Sequence, residues 1–395
     1  MDGYLSTEQV ARRLGVKAET VYAYVSRGLL TSLRTSGQRG SRFAADEVER
    51  LAEHGRDARA VGVVERIRTS LTLLDRDTLY YRGLQVTELA REHPVEAVAS
   101  WLWTADFAAA EPFPVVPEQV AAAVRATAGL PADARSVDRI RLIVATLGAL
   151  DPLRFDLSAT ASVRTARSLL GSVVAALPPA EPRPAHDFAA AVWSRLTRHP
   201  AHPACVAILR AALILLADHD LAVSTLAVRV AASGRANLYA ALSAGLGAFD
   251  GQLHGTASTL AYKFLADALT DPMTALSDRL RLGGPLPGFG HRVYAHRDPR
   301  AEMLLDMLAG LRHPSAVAVS SAVNEIRTAQ PETFANVDLA LAAVMHAFDM
   351  SADAGEAIFA LSRLIGWTAH AMEEYAEEPL RFRPSGIYVG PMPPA

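Results

Sequence analysis

From about residue 88 onward the apolar side chains repeat with the period of an α-helix and almost nowhere with that of a strand. Ile140, Ile143, Val144 and Leu147 fall at i, i+3, i+4 and i+7, one face of a helix. The alanine-rich stretches 118–128, 205–217 and 238–247 behave alike, and proline-rich segments at 110–117 and 178–184 punctuate them. No run of alternating β-branched residues recurs, which disfavours a Rossmann-like sheet or a barrel. The expected body is therefore all-α and large, with a smaller helical subdomain over about 255–350. A chain of 395 residues, 50% hydrophobic and 21% charged, can bury a core of that size.

Several function classes drop out early. No apolar run reaches the ~18 residues of a membrane span. One of the longest, 211–217, is preceded by Arg210 and followed by Asp218-His219-Asp220. The chain opens without a basic-then-apolar signal pattern, so a cytoplasmic protein is expected. Cys205 is the only cysteine, which excludes an intramolecular disulfide framework and any multi-cysteine metal or iron–sulfur site. No metal is expected.

Residues 1–55 read as a unit of their own. Ser6-Thr7-Glu8-Gln9 carries a capping signal, and Val10, Leu14 and Val16 cluster ahead of a second helix expected over 18–29. A hairpin-like stretch, 33–43, then leads to a third helix over 45–54. Helix, glycine turn, helix and basic wing make a winged helix-turn-helix, and "LSTEQVARRLGVKAETVYAYVSRGLL" resembles the MerR/excisionase type of DNA-binding domain. Residues 10–45 hold seven basic side chains against one acidic. The helix 18–29 would enter the major groove, with Lys17, Arg34, Arg39 and Arg42 as the DNA-contacting candidates. A linker is expected over 56–68, and a second domain over 69–395.

Within that second domain a few polar residues stand out. Asp218-His219-Asp220 ends an apolar helix, where a lone histidine is ordinarily a surface or satisfied-core residue. In "DGQLHGTAS" a glycine turn brings His254 to a helix start, where the macrodipole favours a neutral imidazole that donates a hydrogen bond. "GGPLPGFGHRVYAHRDPRA", residues 283–301, combines His291 with glycines that allow close approach. Asp298-Pro299 is a helix start by cap and first-turn proline, which puts Arg300 in a first turn where a cation is unfavourable. Arg300 with the adjacent N–H groups would make an anion site. Asp338, in Asn336-Val337-Asp338, reads on pattern alone as an N-cap. Arg363 falls inside an apolar helix, where a cation needs a partner or a ligand. Arg381 and Arg383 read as a solvated pair in the tail.

Taken together and in order, these segments resemble citrate synthase over about residues 69–390. The matching stretches are "LYYRGLQVTEL", "ADHDLAVST", "LHGTAS", "PGFGHRVYAHRDPRA", "NVD", "LSRLIGW" and "RPSGIYVGP". The resemblance implies condensation of acetyl-CoA with oxaloacetate and hydrolysis of citryl-CoA to citrate and coenzyme A. It implies Asp338 as base, His254 as donor to the thioester oxygen and His291 as acid toward oxaloacetate. His219, Arg300 and Arg363 would hold oxaloacetate, joined by Arg383 from the partner of a homodimer. Leu286, Gly288 and Gly290 lie on the loop matching the coenzyme A segment. No permanently bound cofactor is implied; acetyl-CoA is a co-substrate.

The chain departs from the family pattern at Ala295, where a basic residue is usual, at Thr256 and Ser258, and at Leu341 and Ala342. Two other readings stay open: a transcriptional regulator whose synthase-like body senses a metabolite, and a 2-methylcitrate synthase using propionyl-CoA. One methylene in an apolar pocket is worth only about 1–3 kcal/mol.

Overall fold

The computed structural model describes residues 4–14, 16–26, 29–33, 41–44, 47–48, 67–108, 110–180, 185–251 and 254–382. The chain divides into two compact units, one containing the N-terminal residues to Arg68 and the other spanning Thr69–Arg381.

In the N-terminal unit, strand β1 (Tyr4–Ser6) leads straight into helix α1 (Thr7–Leu14), followed by α2 (Ala18–Ser26) and β2 (Arg42–Ala44). Ser6 and Gln9 form a reciprocal capping box: Ser6 N donates to Gln9 Oε1 at 2.8 Å and Gln9 N to Ser6 Oγ at 3.3 Å. The second helix is described over Ala18–Ser26, and Leu29, expected within it, is not helical. A strand pair not expected from the sequence, β1 with β2, closes the unit in antiparallel register, Leu5 opposite Phe43. Leu33 and Arg42 exchange backbone hydrogen bonds at the base of the proposed wing. Val10, Val21, Leu30, Phe43 and Val48 form its small core. Arg34, Arg39 and most of the third helix expected over 45–54 lie outside the described residues.

The larger unit opens with a three-stranded antiparallel sheet, β3 (Thr72–Asp75), β4 (Thr78–Tyr81) and β5 (Leu84–Gln85), which the helical pattern of the chain did not announce. Two-residue turns join the strands. Arg76 and Asp77 have φ of 44° and 59°, and Arg82 and Gly83 of 46° and 84°, the left-handed turn that suits strand twist. Fifteen helices follow among the described residues. They are α3 (Val86–Glu92), α4 (Val95–Thr104), α5 (Pro117–Thr127), α6 (Ser136–Leu150), α7 (Ala159–Ala176), α8 (Phe188–Leu196), α9 (Pro203–Leu215), α10 (Val223–Ser233) and α11 (Leu238–Phe249). The rest are α12 (Ala257–Ala268), α13 (Pro272–Leu282), α14 (Pro299–Ala309), α15 (Pro314–Ala329), α16 (Val337–Ala347) and α17 (Ala354–Tyr375). The all-α architecture read from periodicity is the one observed. No helix among the described residues is long and apolar enough to cross a membrane.

Two helices position the site. α16 is buried along nearly its whole length, with α12, α14 and α15 packed around it. α17 is the long central helix, packed against α4, α6, α7, α9, α10 and α11. Its approach to the end of α9 depends on Gly366, where an added Cβ would stand 2.1 Å from Ala217 O. Arg363 and His370, one turn to either side on that face, are thereby brought to Asp218. The segment just ahead of β3 is tied to the end of the same helix, with Ser70 N donating to Glu373 Oε1 at 2.8 Å across 303 positions of sequence.

Candidate active site

The loop that carries His291 is shaped by backbone contacts with the start of α16. Leu286-Pro287-Gly288-Phe289 forms a tight turn, Phe289 N donating to Leu286 O at 3.1 Å, with Gly288 at φ 80°. A Cβ at Gly288 would stand 2.7 Å from Leu339 Cβ, so the turn seats directly on α16. Asn336 N donates to Gly288 O at 2.9 Å, and Gly290 N to Phe334 O at 2.8 Å. Asn336 Nδ2 donates to Gly290 O at 2.8 Å. The far side of the loop is held by the first hairpin. Asp77 accepts from Ala295 N at 2.7 Å and His296 N at 2.9 Å, and the amides of Ala295 and His296 hold its carboxyl below the usual range. Ala295, in the place of a basic residue, thus contributes a backbone amide.

Asp298 does more than the capping expected of it. Fully buried, it accepts from Arg300 N (3.1 Å), Arg300 Nε (2.9 Å), Arg300 Nη2 (2.8 Å) and Val337 N (2.9 Å). One carboxylate therefore caps α14, forks the guanidinium of Arg300 and satisfies an orphan N–H of α16. Asp338 is not the cap that its pattern suggested. The cap is Asn336, whose Oδ1 accepts from Asp338 N at 3.0 Å and Leu339 N at 3.4 Å. Asp338 is left free in the first turn. Burial pushes its carboxyl up to about 6 against the charge of Arg300, which pulls the other way.

The three histidines are held neutral. His291 Nδ1 accepts from Val293 N at 3.0 Å and Tyr294 N at 3.2 Å, which places its ring proton on Nε2. That Nε2–H lies 3.4 Å from Arg300 Nη2, so two donors converge on one spot. Burial, with the charge of Arg300, brings His291 down to about 4. His219 is buried, not superficial; its Nε2 meets Tyr294 Oη at 3.1 Å and its ring lies 5.2 Å from that of His291. Burial and the charges of Arg300 and Arg363 hold it well below the ordinary histidine range. His254, at the turn before α12, meets Ser224 Oγ of α10 at 2.7 Å, and burial with the charge of Arg363 brings it down to about 4.

Arg363 is fully buried, and its Nε and Nη1 have no hydrogen-bond partner. The nearest carboxylate oxygen, Asp218 Oδ1, is 3.8 Å from Nη1 and equally unpartnered. The Asp218 peptide is pinned by Tyr81, whose hydroxyl accepts from Asp218 N at 2.8 Å and lies 2.9 Å from Asp218 O. Burial raises the carboxyl of Asp218, but its hydrogen bonds to His370 and Thr72 and the charge of Arg363 outweigh it and leave the group below the usual range.

The two guanidiniums connect the set. Arg300 acts on His219, His291 and Asp338, and Arg363 on His219 and His254. Positions spread over more than a hundred residues thus lie within the field of the same two cations. Arg383 lies outside the described residues, and Lys17 and Arg42 belong to the N-terminal unit. Arg381 is not the solvated residue expected: its Nε and Nη2 grip the buried Glu374 at 2.7 and 2.6 Å. Sequence reading passed over Asp77, Asp218, Ser224, Tyr294 and His370. Tyr294 lay within a segment already singled out, and Asp218 beside a histidine already chosen. No group of three or more metal-ligating side chains occurs among the described residues.

Comparison with known proteins identifies the family. Residues 61–385 match the family model of the citrate synthase C-terminal domain, and residues 4–56 that of a helix-turn-helix domain. Citrate synthase 2 of Bacillus subtilis is 29% identical over 354 residues, covering 84% of this chain and 95% of that protein. The 2-methylcitrate synthase of Mycobacterium tuberculosis is 28% identical over 353 residues, covering 83% and 88%. The crystal structure of citrate synthase from Thermotoga maritima superposes with a TM-score of 0.67 at 25% identity, covering 86% of this chain and 97% of that one. A ternary complex of Thermoplasma acidophilum citrate synthase with carboxymethyl coenzyme A and oxaloacetate gives 0.69 at 23% identity, covering the same 86% and 97%, a likeness of fold. With its family model matched over most of its length, the chain belongs to the citrate synthase family of enzymes and carries a helix-turn-helix domain ahead of the synthase body.

Proposed function

We propose that the 69–381 body condenses acetyl-CoA with oxaloacetate and hydrolyses the resulting thioester to citrate and coenzyme A. The observation that carries this reading is the convergence of His291 Nε2 and Arg300 Nη2 at 3.4 Å beside a buried Arg363 with unpartnered N–H groups. Asp338 is raised by burial, and the imidazoles are held neutral by burial and the two guanidinium charges. Removing a proton from a thioester methyl needs a base that is ionised yet not over-stabilised, and Asp338 suits it. The enolate oxygen needs a donor that does not surrender its proton, which a neutral imidazole provides. If Ser224 donates to His254 Nε2, the proton of His254 sits on Nδ1, directed at the thioester. His291 Nε2–H then polarises the ketone under attack and protonates the new alkoxide. Arg300, Arg363 and His219 receive the dianion, where the fork of a guanidinium outdoes an ammonium. Backbone groups of Leu286, Gly288 and Gly290 would face the coenzyme.

A second copy would complete the cage by lending Arg383. The exposed Val223, Leu226 and Val230, spaced along one face of α10, support such a homodimer.

Thiol release from acetyl-CoA and propionyl-CoA, each with and without oxaloacetate, tests the reading. The expected result is release that requires oxaloacetate and is faster with acetyl-CoA. Faster release from propionyl-CoA would make the enzyme a 2-methylcitrate synthase, the activity named for one relative. Oxaloacetate binding without release would favour the metabolite-sensing regulator.

For the N-terminal unit the reading is DNA binding, supported by the helix-turn-helix match and by the exposed Lys17 just before α2. Labelled genomic fragments should bind with an affinity that falls steeply with salt, and removing Lys17 or Arg42 should lower the salt slope by about one phosphate contact each. Absent or salt-independent binding would exclude it.

A further inference from the structure

Behind Arg363 runs a fully buried row of charged and polar groups that the proposed chemistry leaves unused: Asp218, His370, Arg229 and Glu374. Asp218 Oδ2 accepts two hydrogen bonds, from Thr72 Oγ1 and from His370 Nε2 at 3.0 Å. The other oxygen, Oδ1, accepts none and stops 3.8 Å from Arg363 Nη1, itself without a partner. That gap is informative. A carboxylate and a guanidinium in a dry interior attract strongly, and unrestrained they close to a pair at about 2.8 Å. Here the two donors on Oδ2 hold the carboxylate back. His370 is held in turn, its Nδ1 lying 2.9 Å from Arg229 Nη1. A guanidinium can only donate, so Nδ1 accepts and the ring proton sits on Nε2, facing Asp218. Arg229 is fixed by Glu373 at 2.7 Å and Glu374 at 3.2 Å, and Glu374 by Arg381.

We propose that His370 and Thr72 are positioning residues that restrain Asp218, so that Arg363 keeps its N–H groups for a carboxylate of oxaloacetate. The inference rests on the proposed function for its ligand. Asp218 balances the charge of Arg363 across the gap without occupying its hydrogen-bonding capacity. Released from His370, the same carboxylate becomes an internal competitor of the substrate.

The test uses the full chain, with oxaloacetate affinity from calorimetry, both KM values from thiol release, and circular dichroism and melting to verify folding. H370A should raise the Kd and KM for oxaloacetate by about tenfold or more while the acyl-CoA KM stays within about twofold. T72V, close in shape and away from the core of the network, should weaken oxaloacetate by about threefold. Adding D218N to H370A removes the competing charge and should recover most of the lost affinity. Oxaloacetate binding at the parental level in both H370A and T72V would overturn the inference. So would an equal loss for acyl-CoA, or a double variant no better than H370A. A parent chain that binds no oxaloacetate would overturn the proposed function along with it, whereas a binding parent with unaffected variants would overturn this inference alone.

Discussion

Replacing Asp338 with asparagine should lower turnover by about 10²- to 10⁴-fold, the contribution of a positioned general base. Oxaloacetate affinity should change little, because Arg300, Arg363 and His219 remain. The pH profile supplies a second check. The carboxyl sits at about 6, raised by burial, so the base is protonated and idle below that value and ionised above it. In the parent, kcat/KM should rise about tenfold per pH unit up to near pH 6 and then level off. The residual activity of the asparagine variant should lack that limb. Thiol-release rates between pH 4.5 and 8, with oxaloacetate binding measured alongside, decide the matter. A variant with ordinary turnover would remove Asp338 from the chemistry.

Arg300→Ala should damage both stability and binding, for reasons that can be separated. The guanidinium is 2% exposed and forks onto Asp298, which is fully buried. Removing it leaves a carboxylate in the interior with only backbone donors, at a cost of about 3–5 kcal/mol. Urea unfolding should show this as a lower midpoint with an unchanged slope. The dianion loses a cationic partner as well, and oxaloacetate affinity should fall by about 30-fold or more. A further consequence distinguishes this change from simple loosening. Arg300 depresses His219, His291 and Asp338, so all three should move upward when it is absent. The acid limb of the pH profile should then shift to higher pH. Unchanged oxaloacetate affinity in a folded variant would show that Arg300 serves the fold alone.

Much of this was readable before any coordinates. Helical periodicity marks α6 through Ile140, Ile143, Val144 and Leu147, and the alanine-rich stretches fall on α5, α9 and α11. Asp298-Pro299 marks the start of α14 because a cap and a fixed φ are local properties. The unread parts depend on distant partners. The turn at Arg76-Asp77 lacks the Asn-Gly or Asp-Gly dipeptide by which such hairpins are recognised, and its two positive φ values are imposed by strand pairing. Asp338 resembled a cap because it precedes an apolar run, but Asn336 occupies that position and frees it. His219 and Arg381 look superficial in sequence. One is covered by Tyr294, and the other finds a buried carboxylate seven residues back. The partnership of Arg363 with Asp218 had no local signal, since it exists only where Gly366 lets two backbones touch.

The pocket also has a place in the order of synthesis. Its loop is fastened at Asp77, near one end of the 69–381 body, and Arg363 stands on α17, near the other. Contacts of this kind span 146 positions between Thr72 and Asp218 and 303 between Ser70 and Glu373. Local helices can form as the chain emerges from the ribosome, but closures over such distances wait for the later partner. A nascent chain that already contains Asp338, His254 and His291 but not α17 still lacks Arg363, and with it part of the proposed centre. On the reading proposed above, activity waits until α17 has docked against the end of α9 and reached the hairpin at the start of the body.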